Sequence, residues 1–167
     1  MWLWAVLAAC LASRVWFAFA VPLCAEDAYI TFRYAFHAGH GMGVVYNPGE
    51  ASWGYTSLLW TTLLAGAARV GLPLETFARV FLTLCDLGTI ALVYRKLAPT
   101  TRVGAISGVA FFALWPRFAH LPATGLETSL VTFLVAAAVT QSKNRWGAMF
   151  AGLLALSRPE GLAMSVL

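Results

Sequence analysis

The sequence predicts an all-α membrane protein: a polytopic transmembrane helix bundle of about five spans, with one or two interfacial helices in its first external loop. Of its 167 residues, 60% are hydrophobic and only 11% are charged, whereas a soluble domain has roughly 25% charged residues. The mean hydropathy is +0.76. Apolar stretches run almost from end to end, and a span needs about 20 apolar residues, so the chain has room for about five or six.

The same composition excludes several protein classes. A soluble domain of this length could not bury so much apolar surface, and a disordered chain would be far more polar. The sequence pI is about 9.3 and the net charge is +4. A small positive charge spread over the loops between apolar segments is typical of membrane proteins, so nucleic acid is not expected as a partner. Three cysteines without metal-ligand spacing do not indicate a disulfide framework or a zinc site.

The first element is a span over residues 2–24, interrupted by Arg14. The tripeptide at 18–20 resembles a signal-peptidase site, but no basic segment precedes the apolar run, as a secretory signal would require. A retained transmembrane helix is therefore favoured. A charged side chain facing lipid is costly, so we expect Arg14 to face the interior of the bundle.

Residues 25–72 form the first external loop and carry the most polar segment of the chain. Asp27, Thr31 and Tyr34 share one face of a helix predicted over residues 27–38, which is the pattern of an interfacial helix. Glycine and proline between residues 39 and 49 predict a loop. The apolar stretch 56–70 fits either a span or a second interfacial helix, and the charge distribution described below favours the interfacial alternative.

Residues 73–167 hold the further spans. They are predicted over 77–94, which contains Asp86, over 103–116, over 126–141, and from Trp146 onwards. The length and hydropathy of Asp86's segment indicate a span, but they indicate no role for this carboxylate.

The distribution of charge predicts which ends of these helices lie together. The two densest basic loops contain Arg95, Lys96 and Arg102, and Lys143 and Arg145, without a carboxylate. Loops rich in Lys and Arg stay on the cytoplasmic side, so both are expected there. Six of the other charged side chains then gather near one external face: Glu26, Asp27, Arg117, Glu127, Arg158 and Glu160.

Glu26 and Asp27 are the most informative of these charges. Two adjacent carboxylates can hold a divalent cation such as Mg²⁺ or Mn²⁺ through oxygen, and one can act as a general base toward a hydroxyl group. Asp27 can also be explained as an N-cap of the following helix, which the spacing alone favours. The two interpretations are compatible.

Other candidate residues have simple alternatives as well. Glu127 fits a first-turn carboxylate at a helix N-terminus. Arg158 can bind a phosphate group, pair with Glu160, or extend to the membrane interface. Aromatic residues that can stack on a ring-shaped ligand also occur in interfacial belts. These aromatic residues are Trp53, Tyr55 and Trp60.

Several of these residues belong to longer runs with a recognisable pattern. The runs are EDAYITFRYA at 26–35, GHGMGVVYNPGE at 39–50, GYTSLLW at 54–60, TGLET at 124–128 and SRPEG at 157–161. The first three resemble the first external loop of bacterial GT-C glycosyltransferases, a class that includes mycobacterial terminal arabinofuranosyltransferases of the cell wall. The last two resemble later motifs of the same proteins, in the same order. The resemblance covers roughly residues 10–165 of this chain.

The resemblance implies an inverting enzyme of a bacterial inner membrane. It would pass a sugar from a polyprenyl-phosphate donor to a glycan or lipid acceptor at the external face. Matching the motif makes Asp27 the catalytic base or the residue that places the acceptor. The residues implied in donor or acceptor binding are Glu26, Arg33, Tyr55, Arg117, Glu127, Arg158 and Glu160.

This chain also departs from the family pattern. Glu26 stands where the family usually has Asp, and Ser52-Trp53 replaces a small acidic pair before Gly54. The longer Glu26 side chain weakens the expectation of a shared metal site. Family members have many more spans, so residues 1–167 are expected to form an incomplete GT-C transmembrane domain, the N-terminal portion of a larger enzyme that is inactive as a fragment.

Two other classes remain open from the sequence. A transporter or flippase of lipid-linked sugars also uses charges within a membrane, although transporters tend to show repeats and broken helices. A non-catalytic membrane subunit is the other alternative. It would not require the polar motif between Glu26 and Trp60.

Overall fold

The computed structural model describes residues 2–21, 24–50 and 52–158, and over these ranges it confirms the predicted all-α class. The described residues contain eight helices and no strand. The helices are α1 (Trp2–Ala20), α2 (Glu26–Gly39), α3 (Leu58–Arg69), α4 (Leu74–Leu97), α5 (Arg102–Leu114), α6 (Pro116–Thr124), α7 (Thr128–Thr140) and α8 (Arg145–Ser157).

Two of the described helices are long and apolar enough to cross a membrane: Leu3–Ala20 within α1, and α4. A third span results if α6 and α7, which are bent by 113° relative to each other, count as one broken span. The predicted number of about five spans is therefore not confirmed. Helix α5 has 13 residues, which is about 20 Å of helix, whereas the hydrocarbon core is roughly 30 Å thick.

Local chemistry sets where several helices begin. Ser57, Thr101 and Asn144 each accept a hydrogen bond from a first-turn backbone N–H of α3, α5 and α8, as N-caps do. Between α5 and α6 the chain becomes extended at Trp115, and Pro116 starts the next helix because its missing N–H costs nothing there.

Helices α1 and α4 run antiparallel. Near the end of α1 the Ala18 carbonyl accepts a hydrogen bond from Arg79, near the start of α4. Further along, Arg14 meets Asp86, and Cys10 packs in one apolar cluster with Ile90. The first residues of α1 therefore lie at the same end of the bundle as the last residues of α4.

Helix α7 runs alongside α4 in the same direction. A Cβ atom at Gly88 would lie 2.8 Å from the Phe133 ring, and further along Leu92 and Gln141 line one groove. The two basic loops, 95–102 and 141–147, therefore lie together at what we call the basic end, as the charge pattern predicted. The opposite end, called the motif end, carries residues 24–50 and 52–57, the α6–α7 break and Arg158.

Most of the apolar core lies between α4 and the helices around it. One cluster joins residues of α2, α3, α4, α7 and α8, with Trp60, Leu64 and Leu82 at its centre. A smaller cluster joins α1, α4 and α5. Helix α4 contributes to both clusters and is the central helix of the bundle.

Helix α2 lies on α3 through a face of small residues. At Gly39 an added Cβ would lie 2.6 Å from the Ala65 carbonyl oxygen, so the two backbones are in close contact. Phe32 is buried, but Tyr29 and Phe36 are exposed. The buried face of α2 runs through Ala28, Phe32, Ala35 and Gly39, and Tyr34, which was expected on the polar face with Asp27, is buried as well.

A buried ion pair connects α1 with α4. Arg14 is 2% exposed, Asp86 is 0% exposed, and Arg14 Nε lies 2.9 Å from Asp86 Oδ2. The predicted inward orientation of Arg14 is confirmed. The structure also gives Asp86 a role, because it neutralises a guanidinium that would otherwise be costly to bury.

Arg14 also donates hydrogen bonds to the last carbonyl groups of α5. Proline at position 116 has no N–H to donate to the Phe112 carbonyl, as a continuing helix would require. Arg14 Nη2 donates to that carbonyl at 3.4 Å, and Nη1 donates to the Ala113 carbonyl. Ser13 donates to the Ala113 carbonyl as well, at 3.1 Å. One side chain thus joins three helices.

Replacing Arg14 should test this linkage. Arg14→Leu leaves Asp86 buried without its counter-charge, so the free energy of unfolding should fall by about 3–5 kcal/mol. Adding Asp86→Leu should restore part of the loss, but not all, because the freed α5 carbonyls still lack donors. The measurement is denaturant unfolding of the purified protein in mixed micelles.

The matched control is Arg117→Leu, which removes an exposed arginine. Its effect should stay within about 0.5 kcal/mol, as for most surface substitutions. If Arg14→Leu were no more destabilising than this control, the pair would not hold the helices together.

Candidate functional site

The motifs recognised in the sequence meet around Gly125, at the break between α6 and α7. Gly125 has φ +76°, a left-handed conformation that favours glycine. An added Cβ would lie 3.0 Å from both Cys24 Sγ and Phe32 Cζ. The first-loop segment therefore packs directly on the break, and only glycine leaves room for it.

Hydrogen bonds join the same segments. The Ala25 N–H donates to the Thr124 carbonyl at 2.9 Å, just before α2 begins. The indole N–H of Trp60, a buried residue of α3, donates to the Gly125 carbonyl at 3.2 Å. The TGLET motif is thus held between the start of the EDAYITFRYA run and the end of the GYTSLLW run.

The SRPEG motif joins this site through an ion pair. Arg158 Nε lies 3.2 Å from Glu127 Oε1, and Glu127 is buried, whereas the Arg158 side chain is 44% exposed. Glu127 lies at the N-terminus of α7, as predicted. Glu160, the other partner considered for Arg158, lies outside the described residues.

Glu26 and Asp27 lie in the first turn of α2 at the motif end, and both are exposed. The N-cap is Ala25, without a side-chain hydrogen bond, so the N-cap interpretation of Asp27 is wrong. Within the described ranges, neither carboxylate forms an ion pair or a side-chain hydrogen bond. Both are therefore open to a ligand, next to the positive end of the helix dipole.

The described residues do not form a complete metal site. Over these ranges, no group of three or more His, Cys, Asp or Glu side chains comes together at one point. Glu26 and Asp27 would supply at most two carboxylates. Mg²⁺ bound in this way takes its other ligands from water and substrate phosphates, so the predicted Mg²⁺ or Mn²⁺ ion stays a prediction.

Arg33 organises the loop that follows α2. Its Nε donates to the Tyr46 carbonyl and its Nη2 donates to Asn47 Oδ1, both at 2.8 Å. The guanidinium also lies 4.5 Å from the centre of the Tyr46 ring. Asn47 in turn donates to Glu50. Arg33 therefore positions the glycine- and proline-rich loop near the site.

Aromatic rings form a stacked surface beside this loop. Tyr34 is buried, lies edge-on to Tyr55 with 5.4 Å between ring centres, and hydrogen-bonds with Ser52 at 3.0 Å. Tyr55 stacks in turn on Trp53, at 5.7 Å and an angle of 18°. Trp53 is 88% exposed. A rigid ring face is therefore open at the motif end.

Arg117 lies apart from these contacts. It is exposed in the first turn of α6, directly after Pro116. None of the contacts in the described part of the chain joins it to the other candidate residues. Helix α6 itself is held by His120, whose ring lies edge-on to Phe17 of α1.

The sequence did not point to a second group of polar side chains near the start of α4. Hydrogen bonding to the Glu75 carboxylate raises the pKa of Tyr29. Burial raises the pKa of Cys24, and Arg79 opposes this shift. Tyr29 and Glu75 come from separate helices, and neither shows a motif that would have predicted the contact.

No protein-family model, curated protein or solved structure matches this chain. Its candidate site is therefore defined by the contacts around Gly125. The groups available for chemistry there are the exposed carboxylates of Glu26 and Asp27, the Arg158 guanidinium that pairs with Glu127, and the open aromatic face of Trp53.

Replacing Gly125 should show how tightly the motifs are held together. Gly125→Ala imposes a left-handed backbone on alanine and presses its Cβ against Cys24 and Phe32. We expect a loss of about 2–3 kcal/mol in the free energy of unfolding. The measurement is thermal unfolding in detergent, followed by circular dichroism.

Gly41→Ala is the matched control, since Gly41 has the same φ of +76° but no atom within 4 Å of an added Cβ. Gly41→Ala should lower the free energy of unfolding by about 1 kcal/mol, which is the backbone strain alone. Equal losses in the two variants would mean that the packing against Gly125 contributes nothing.

Proposed function

We propose that the protein is a membrane glycosyltransferase of the GT-C type. It transfers a sugar from a polyprenyl-phosphate donor to a glycan or lipid acceptor, at the external face of a bacterial inner membrane. The observation that supports the proposal is the meeting of distant motifs around Gly125. Residues 24–32, Trp60, Glu127 and Arg158 come together there.

In this proposal Asp27 is the general base. Its exposed carboxylate accepts the proton of an acceptor hydroxyl while that oxygen attacks the anomeric carbon of the donor sugar. The bond from the anomeric carbon to the phosphate oxygen breaks on the opposite face of the ring, and the configuration inverts. Glu26, next to Asp27, helps to orient the acceptor.

The leaving phosphate needs positive charge near it. Glu127 holds Arg158 through Nε, and the exposed part of the guanidinium is directed to the phosphate in this proposal. Fixing the arginine in advance reduces the entropy lost when the donor binds. Arg117 is a second cation for the donor. Glu160 is assigned to donor or acceptor binding because it belongs to the SRPEG motif.

The acceptor side is assigned to the ordered first loop. Arg33 fixes the loop through Tyr46 and Asn47, and the Trp53–Tyr55 stack offers a flat apolar face. A sugar ring has an apolar face of similar size, which makes these rings suitable for an acceptor glycan. No step of the reaction is assigned to a divalent cation.

One observation favours a second candidate, a transporter of lipid-linked sugars. Helices α6 and α7 meet at 113°, and broken helices are typical of transporter binding sites. Asp27→Cys and Arg158→Cys, probed from outside with a membrane-impermeant maleimide, separate the candidates. Constant labelling favours a transferase, and labelling that alternates with substrate favours transport.

Asp27→Asn in the full-length protein should lower the rate of transfer by about 10²–10⁴-fold, since the amide cannot accept the proton. The KM of the donor should change little, because Asp27 acts on the acceptor. The assay uses membranes that contain the protein and a radiolabelled polyprenyl-phosphate-linked pentose or hexose.

Glu50→Gln is the matched control. It removes an exposed carboxylate from the loop that follows α2, where Glu50 contacts only Asn47 among the described residues, and the rate should stay near that of the wild type. Normal transfer by Asp27→Asn would remove Asp27 from the mechanism.

A further inference from the structure

A separate groove lies at the basic end, between α4, α7 and α8. Its volume is about 370 Å³, and its walls include Gly88, Leu92, Phe133, Gln141, Trp146 and Phe150. None of these residues belongs to the candidate glycosyltransferase site. The groove therefore needs an explanation of its own.

The lining of the groove is apolar apart from Gln141. On one wall the Phe133 ring packs on Gly88, where an added Cβ would lie only 2.8 Å away, so this wall is closely packed. Hydrocarbon gains free energy by leaving water for such a surface.

The turn over residues 141–147 supplies Gln141 and Trp146 to the groove, and we call this end of the groove its mouth. Asn144 donates to Gln141 Oε1 at 2.9 Å and accepts a hydrogen bond from the Trp146 N–H at 3.0 Å. At Gly147 an added Cβ would lie 2.6 Å from the Gln141 carbonyl oxygen, so the turn is tight. The same turn carries Lys143 and Arg145, which are both exposed.

The charge around the mouth has one sign. The Arg145 guanidinium lies 5.4 Å from the centre of the Trp146 ring, and Trp146 is 49% exposed. Arg95 and Lys96 follow Leu92 by three and four residues, which places them one helical turn beyond the groove wall. Neither basic loop contains a carboxylate.

We propose that this groove binds one anionic phospholipid, with an acyl chain between α4, α7 and α8 and the phosphate at Lys143 and Arg145. Basic pockets between membrane helices attract anionic headgroups, and an exposed tryptophan is typical of the interface where such headgroups lie. The cations favour an anionic lipid, since a neutral lipid or an apolar peptide brings no negative charge to them and a second copy in the same orientation brings like charges.

The experiment measures lipid binding to the purified full chain by native mass spectrometry, with phosphatidylglycerol and phosphatidylcholine of equal chain length. Lys143→Gln/Arg145→Gln should bind phosphatidylglycerol about 25-fold more weakly. Each cation near an anionic headgroup contributes roughly 5-fold in affinity. Binding of phosphatidylcholine should not change.

The matched control is Arg69→Glu, which lowers the net charge by the same two units at an exposed position of α3. Its affinity for phosphatidylglycerol should stay within about 2-fold of the wild type. Equal weakening in both variants would overturn the proposal, because the lipid would then respond only to net charge. Equal wild-type affinity for the two lipids would overturn it as well.

A third variant tests the groove without changing charge. Ala91 also lines the groove, and Ala91→Phe should fill it and weaken phosphatidylglycerol binding at least 10-fold. Gel filtration and circular dichroism check that the variant is folded. Unchanged binding would show that no acyl chain occupies the groove, whatever holds the headgroup.

Discussion

The ion pair between Arg14 and Asp86 is the interaction on which the arrangement of the bundle depends. Either charge alone would be costly in an apolar environment, so each helix requires the other. The same guanidinium supplies donors to the α5 carbonyls, one of which Pro116 cannot serve. Helix α5 can therefore end in the bundle without leaving those carbonyls without donors. This contact fixes α1 and α5 against α4.

Close contacts at small residues then hold the other helices together, both on α4 and beside it. Gly88 brings Phe133 of α7 against the α4 backbone, and Gly39 lets α2 approach α3. Close approach at small residues is how membrane helices gain packing energy, since lipid offers no hydrophobic gain between helices. Gly125 applies the same principle to the site, where the missing side chain makes room for Cys24 and Phe32.

Several members of the candidate site were predictable from the sequence, but their contacts were not. Motif resemblance selected Asp27, Glu127 and Arg158 because residue identity and order along the chain can be read directly. Their environment could not be read in that way. The ion pair of Arg158 with Glu127 joins residues 31 positions apart. The sequence also gave no indication that Tyr34 is a buried anchor under the aromatic surface.

The sequence by itself determined the all-α class, the presence of helices apolar enough to cross a membrane, the inward position of Arg14 and the gathering of the basic loops at one end. These properties follow from composition and from the cost of charge in lipid, which are local or additive. The tertiary structure alone decided that Asp86 is the partner of Arg14, that the chain breaks sharply between α6 and α7, and that the motifs meet at Gly125. Those outcomes depend on which surfaces pack against each other, and packing between distant segments is not encoded in any single stretch of sequence.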